Sequence, residues 1–258
     1  MEIQEFNMDF FSLKGKNAIV TGGNTGLGRA FSLALATAGA NVFIPNILPD
    51  DPDFNKELEA RGAKVGYMEA DITADGVPAK VVQACVDQLG SVDILVNCAG
   101  ICLIDDVLHF GRDKWDAMMA INLTAPFEMI FECAKYMIPQ KSGKIINICS
   151  LFTYLGGKWS PAYGVSKHGM AGLVHVYCDE LGEHNIQING IAPGYFKTKA
   201  AEKSINDPET SKWIVDHTPA GRWGDVADLM GTTVFLASRA SDFVNGAIVS
   251  VDGGYLVR

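Results

Sequence analysis

The chain has 258 residues, a length that suits one large α/β domain or two small ones. Its 30 acidic against 21 basic side chains leave a formal charge of −9, which excludes a nucleic-acid-binding surface that works by releasing counterions from phosphates. A hydrophobic content of 48% excludes a disordered chain.

The opening MEIQEFNMDFFSLKGK carries acidic residues before its first lysine and no apolar core of signal-peptide length. No apolar run approaches the roughly 18 residues of a bilayer-spanning helix, so no membrane partner is expected. Six cysteines scattered through apolar context in a chain of this size point to reduced thiols and a cytoplasmic setting.

Short β-branched runs alternate with stretches of helical period, the pattern of βα units feeding a parallel sheet. Strands are expected at 17–21, 41–44, 64–68, 92–96, 144–148, 186–191 and 247–251. These runs are nearly continuous in apolar residues, as strands covered on both faces are. Helices are expected at 27–38, 74–89, 112–137 and 162–183, with Pro126 kinking or breaking the third. No repeat or Gly/Ser linker divides the chain. The reading is an α/β fold: a single Rossmann-type domain over 1–258, with a seven-stranded parallel sheet and helices on both faces. The polar stretch 195–218, just after a Pro-Gly turn, is expected to form a mobile flap over the site.

After the first strand comes Thr21-Gly22-Gly23-Asn24-Thr25-Gly26-Leu27-Gly28, running directly into a helix. Glycines allow a tight turn, and the helix N-terminus presents free N–H groups and partial positive charge to a pyrophosphate. Asn46, eighteen residues past Gly28, stands where an acidic side chain would hold the adenosine ribose of NAD. It carries no charge to repel a 2′-phosphate, but Ile47, Leu48, Pro49 and Asp50 offer no cation to hold one. NAD is therefore expected as cofactor, with NADP as the second choice. Asp71, past the third strand, reads either as an acceptor for the adenine amino group or as a helix N-cap. Asn97-Cys98-Ala99-Gly100 closes the fourth strand with small residues suited to backbone lying against a nucleotide, or to a plain turn.

Tyr163 and Lys167 are four apart at the start of a helix, so both lie on one face. An ammonium beside a phenol favours its ionised form. Ser150 ends the fifth strand, thirteen residues before Tyr163. In a parallel sheet a strand's carboxyl end and the helix that follows it converge at the ligand crevice, which brings a hydroxyl donor and a phenol to one substrate oxygen.

These motifs, together with Asn122 in INL, Pro193-Gly194 with Thr198, and the terminal VDGG at 251–254, resemble those of the short-chain dehydrogenase/reductase family over essentially the whole chain. The resemblance implies Tyr163 as general acid/base, Ser150 positioning the reacting oxygen, and Lys167 binding the nicotinamide ribose while tuning Tyr163. Asn122 would hold a helix distortion and an ordered water that relays protons from Lys167. The dinucleotide is assigned to Gly22, Asn24, Thr25, Gly26, Leu27, Gly28, Asn46, Asp71, Ile72, Asn97, Ala99, Gly100, Tyr163, Lys167, Pro193, Gly194 and Thr198. Two departures stand out: Cys98 replaces the second Asn of the usual NNAG, and Asn46 replaces the common acidic residue.

Within the family the chain is most similar to the 2-dehydro-3-deoxy-D-gluconate and gluconate 5-dehydrogenases, through stretches such as GKIINICS (143–150) and PAGRWGDVADLMG (219–231). That subgroup implies a small-molecule sugar acid as substrate, interconverted between a C5 hydroxyl and a ketone. Lys158, Lys197, Lys199 and Arg222 are the candidate anchors for its carboxylate, with Trp159 and Tyr195 walling the pocket. The resemblance further implies a homotetramer, with 112–137 and 162–183 packing across one interface and VDGG near another. The competing readings are a 3-oxoacyl-[acyl-carrier-protein] reductase, disfavoured by the acidic charge, and a non-catalytic nucleotide sensor, disfavoured by the presence of Tyr163 and Lys167. Cys98, Cys102 and Cys149 form no Cys-x-x-Cys pair and have no histidine at ligand spacing, so no metal is expected.

Overall fold

A computed structural model describes residues 6–258. Seven strands form one sheet: β1 (Asn17–Val20), β2 (Asn41–Asn46), β3 (Val65–Glu69), β4 (Ile94–Asn97), β5 (Gly143–Ile148), β6 (Ile186–Pro193) and β7 (Ile248–Val251). All pairs are parallel, in the order β3-β2-β1-β4-β5-β6-β7. The order reverses between β1 and β4, and such a switch point opens a crevice beyond the carboxyl ends of the strands.

The continuous apolar runs divide by strand periodicity into two cores. Ala18, Val20, Val42, Ile44, Ile94, Val96, Ile146 and Ile148 face one side with Phe31 and Leu35 of α1 (Gly26–Thr37) and Phe54 and Leu58 of α2 (Pro52–Glu59). Ile19, Phe43, Leu95 and Ile145 face the other, against α3 (Val77–Leu89), which follows the left-handed Gly76. Burial on both faces at a period of two leaves no exposed side and hence no polar alternation.

The expected helix at 112–137 is three pieces. α4 (Arg112–Met119) passes into a π-helical turn at Ala120–Thr124 and then α5 (Ala125–Gln140). The break therefore falls upstream of Pro126. This proline sits in the first turn of α5, just past the π turn. α6 (Pro161–Leu181) completes the second face. The expected flap folds as a 3₁₀ turn at Lys199–Ala201, α7 (Glu202–Asn206) and α8 (Pro208–His217), and α9 (Met230–Ala237) packs beside α1 on the first face.

Candidate active site

The glycine turn after β1 divides its work among its glycines. Gly22 and Gly26 adopt φ of +67° and +48°, in the left-handed region, whereas a Cβ on Gly28 would lie 2.3 Å from the Gly22 carbonyl oxygen. Thr25, the N-cap of α1, gives no side-chain cap to the helix, so the N–H groups of the first turn are left for another acceptor. A Cβ on Gly26 would meet nothing within 4 Å, so the turn opens into free space at the helix N-terminus. An uncapped N-terminus beside an open, glycine-lined bend fits a pyrophosphate.

Asn24 and Asn46 come together behind this turn. The Asn46 amide donates to Asn24 Oδ1, while Asn46 Oδ1 accepts from the Leu48 N–H at 3.1 Å. Beyond them Ile47 and Leu48 are exposed, as is Asp50. The nearest cation on α1 is Arg29. Its guanidinium bonds Asp51 at 2.9 Å and Glu57 at 3.3 Å and stacks 3.9 Å from the Phe54 ring. Asp71 Oδ1 accepts from Thr73 Oγ1 at 2.6 Å and Thr73 N at 3.0 Å, and these bonds hold its carboxyl below the usual range. Ile72 beside it is buried.

Thr21, which the sequence reading left as part of a motif, ties β1 to the NCAG turn: its Oγ1 accepts from the N–H groups of Cys98 and Ala99 at 2.9 and 3.0 Å. Those bonds are to main chain, so the turn survives the exchange of Asn for Cys98, whose thiol burial pushes up to about 12. Asn97 turns along the sheet, donating to Asn147 Oδ1 at 2.9 Å. Asn97 Oδ1 and Asn147 Nδ2 are buried without a partner among the described residues, at a cost of about 1–3 kcal/mol each. Gly100 is constrained by Asn122, because a Cβ there would lie 2.8 Å from Asn122 Oδ1. From the π turn, Asn122 bonds the Ile101 N–H and carbonyl at 2.9 and 2.8 Å and reaches Ser166 Oγ at 3.3 Å. The distortion expected at Asn122 is present.

The segments that carry Ser150, Tyr163 and Lys167 are fastened together. Ser150 caps the 3₁₀ turn Leu151–Thr153, its Oγ accepting from Phe152 N at 3.2 Å and its own N–H donating to Thr153 Oγ1 at 3.1 Å. Thr153 Oγ1 in turn donates to the Lys167 carbonyl at 3.1 Å, fastening the Ser150 turn to α6. The Lys167 side chain is buried, its Nζ 2.7 Å from the Ile148 carbonyl and 5.6 Å from the centre of the Tyr163 ring. Phe152 meets that ring edge-on at 5.8 Å. Thr153 is the link that sequence reasoning missed; no motif marked it.

On the substrate side, Pro193 and Gly194 end β6 against the terminal turn, where a Cβ on Gly194 would lie 2.7 Å from Asp252 Cα. Thr198 caps the 3₁₀ turn at Lys199–Ala201 without a side-chain bond. Tyr195 packs edge-on to Trp223 and Tyr255 at 5.9 and 5.3 Å and lines a cavity of about 160 Å³ with Thr218, Ala220, Arg222 and Asp252. Burial first, then the neighbouring Tyr255 and Tyr163, push its phenol up to about 12. Of the candidate anchors, Arg222 forms a two-pronged pair with Asp228 at 2.6 and 3.0 Å, so its charge is already matched. Lys197 and Lys199 are exposed, and Lys158 lies 4.5 Å over the Trp159 ring. Trp159 holds φ of +67°, and its carbonyl accepts from Asp105 N at 2.8 Å. Among the described residues Asp105, Asp106 and His109 bring ligand-type atoms together, but Asp105 is paired with Lys114 and Asp106 with His109.

A parallel sheet with a glycine-lined crevice at its switch point, and beside it a hydroxyl, a phenol and a buried ammonium, defines a dinucleotide-dependent oxidoreductase. The chain belongs to the short-chain dehydrogenase/reductase family: the family pattern described as enoyl-(acyl carrier protein) reductase matches residues 22–256. It is 59% identical to an uncharacterized oxidoreductase, YgcW, of Escherichia coli (strain K12), over 99% of this chain and 98% of that one. It is 43% identical to the 2-dehydro-3-deoxy-D-gluconate 5-dehydrogenase of the same organism, over 96% of this chain and 98% of the relative. Among solved structures, a gluconate 5-dehydrogenase from Burkholderia cenocepacia J2315 in complex with NADP and tartrate superposes with a TM-score of 0.91 at 34% identity, covering 97% and 99% of the two chains.

Proposed function

We propose that this oxidoreductase interconverts a C5 hydroxyl and a ketone on an open-chain six-carbon sugar acid, with 2-dehydro-3-deoxy-D-gluconate as the first choice of substrate and gluconate as the second. The observation that supports this is the Thr153 bond that fastens the Ser150 turn to α6, with the buried Lys167 ammonium beneath the Tyr163 ring, in a chain whose curated relatives act, by name, on these acids. A bound nicotinamide supplies or accepts the hydride.

The chain's own residues handle the proton and the geometry. The Ser150 oxygen already accepts from Phe152 N, so its O–H is available to donate to the reacting oxygen. Tyr163 takes the hydroxyl proton during oxidation and returns one during reduction. Lys167 spends one N–H on the Ile148 carbonyl, which fixes the ammonium beneath the Tyr163 ring and leaves further N–H groups for the phenol and the nicotinamide ribose. Asn122 holds the π turn against Ser166, whose Oγ donates to the Tyr163 carbonyl at 2.9 Å, and it flanks the route by which Lys167 exchanges protons with solvent.

Gly22, Asn24, Thr25, Gly26, Leu27 and Gly28 form the pyrophosphate cradle. Asn46, Asp71 and Ile72 stand at the adenosine end, and Asn97, Ala99, Gly100, Pro193, Gly194 and Thr198 at the nicotinamide end. The preferred dinucleotide is NAD. Asn46 is neutral, Asp50 lies on the rim, and Arg29 is already matched by Asp51 and Glu57, so a 2′-phosphate would meet no uncommitted cation on α1. NADP, held by the Burkholderia neighbour, ranks second.

Exposed Phe127 and Phe131 on α5 and Val165 and Val176 on α6 support packing between copies, in a homotetramer. All six cysteines are free, which suits a cytoplasmic enzyme, and no helix among the described residues is long and apolar enough to cross a membrane.

Assaying the purified protein with NADH and NADPH against a 5-keto sugar acid and an acetoacetyl thioester tests the reading. Turnover of the keto acid, faster with NADH, is expected. Activity confined to the thioester would move the enzyme to the carrier-protein reductases, and dinucleotide binding without turnover on a broad panel of hydroxy and keto acids would make it a sensor.

A further inference from the structure

α7 and α8 follow the carboxyl end of β6, the crevice end of the sheet, and pack chiefly against each other and against the 3₁₀ turn before them. Trp223 Nε1 donates to Ser211 Oγ at 2.9 Å, and Ile214 is buried. The remaining ties come from the far end of the chain. The Tyr255 ring sits 6.5 Å from Trp213 of α8 and 5.3 Å from Tyr195, edge-on to both. Arg258 Nη1 donates to the Asp216 carbonyl at 2.6 Å. That carbonyl lies in the last turn of α8, where orphan acceptors and the negative end of the helix dipole favour a cation.

The terminal VDGG supplies the bend that returns the tail to α8. Asp252 accepts from Gly254 N at 2.8 Å and Leu256 N at 2.9 Å, and Gly253 and Gly254 adopt φ of +65° and +89°. Cβ atoms there would lie 2.8 Å from Thr218 and 3.0 Å from Pro219, so the tail crosses the end of α8 with no room to spare.

We infer that Tyr255 to Arg258 form a latch that holds α7 and α8 closed over the crevice, and that Tyr255 is a positioning residue that sets the Tyr195 hydroxyl against the sugar acid. The second half rests on the substrate reading above. Tyr195 follows the Pro-Gly turn at the carboxyl end of β6, and its ring packs edge-on against that of Tyr255 at 5.3 Å. Burial above all raises its phenol, so it stays a neutral hydrogen-bond donor to a polyhydroxylated substrate while Tyr163 exchanges protons. The ring of Tyr255, against Trp213 on one side and Tyr195 on the other, supplies both the latch and the orientation.

Two readouts on Tyr255→Ala, Tyr255→Phe and a chain lacking Leu256–Arg258 test this. In Tyr255→Ala and in the shortened chain, amide exchange over 202–217 should speed up by about tenfold or more, with 17–28 unchanged. In Tyr255→Ala, KM for the keto acid should rise by about tenfold, with kcat within about threefold and dinucleotide affinity unchanged. Tyr255→Phe keeps the ring and should restore both the exchange protection and KM. Unchanged exchange over 202–217 in Tyr255→Ala, or faster exchange spreading equally into 17–28, would overturn the latch. An unchanged KM in a variant whose exchange does respond would overturn the positioning role. A wild-type protein that turns over no sugar acid would instead refute the substrate reading, while the exchange pattern still decides the latch.

Discussion

The two ends of the crevice are built in opposite ways. At the dinucleotide end the surface is main chain: a glycine bend whose Gly22 carbonyl crowds Gly28, the uncapped start of α1, and a turn pinned by Thr21 to two backbone N–H groups. At the proposed substrate end it is side chain: Tyr195, Trp223 and Tyr255 interlock, Arg222 is spent on Asp228, and α8 takes contacts from the chain terminus. A main-chain surface accepts few substitutions and recognises a part common to many cofactors. A side-chain surface can be rebuilt residue by residue, which suits the part of the site that must distinguish one acid from another.

The sharpest way to break this contrast is at the glycines. Gly28→Ala forces a Cβ to 2.3 Å from a backbone oxygen that has nowhere to go, and should weaken dinucleotide binding by about a hundredfold or more, measured by NADH fluorescence. Gly26→Ala faces open space and should cost only the left-handed backbone, about 1–2 kcal/mol. Equal effects of the two would mean that the bend is not built as described.

Lys167→Met is next. It removes the ammonium beneath Tyr163 and leaves the Ile148 carbonyl without its donor, so turnover should fall by about a hundredfold and stability by about 1–3 kcal/mol in urea unfolding. Full stability with lost turnover would show that the bond to Ile148 is dispensable. Asn46→Asp places a charge beside Asn24 at the ribose rim, and the ratio of kcat/KM for NADH over NADPH should rise by about tenfold. A ratio that stays constant would move cofactor choice elsewhere.

The smallest effect is expected at Arg222. Because its charge is matched by Asp228, Arg222→Ala should change KM for the acid by less than about threefold; a tenfold rise would make it the carboxylate anchor. The same pair sets a pH signature. Arg222 and the Asp225 N–H hold Asp228 down at about 2 from an ordinary 3.8, so its contribution to stability is fully present above the ordinary value and is lost as the pH falls toward 2. The small Tm difference between wild type and Arg222→Ala should therefore close over that window.

Much of the fold was legible because burial on both faces leaves the central strands β1 and β4 as uninterrupted apolar runs, and every strand of the sheet falls on one of the expected segments. In the third helix the break expected at Pro126 falls instead at the π turn that the resemblance placed at Asn122: a proline is visible in sequence, whereas the turn comes with a side chain bonding the Ile101 backbone. Asp51-Pro52 and Asp207-Pro208 are N-cap and first-turn pairs that announce α2 and α8, and they went unread because each helix is short. At the site, Ser150, Tyr163, Lys167 and Asn122 were legible from spacing and resemblance. Thr153, Arg29 and Tyr255 were not: their parts depend on contacts between residues far apart in the chain or, for Thr153, on a hydroxyl bridging two elements, which no local pattern encodes.

The most direct measurement is the turnover of Tyr163→Phe with NADH and a 5-keto sugar acid, paired with NADH binding to the same protein. The phenyl ring keeps the contact with Phe152 and the place above Lys167 but has no proton to exchange. A fall in kcat of about a hundredfold or more with unchanged NADH affinity is expected. Turnover within a fewfold of wild type would contradict the assignment of Tyr163 as the acid and base of the reaction.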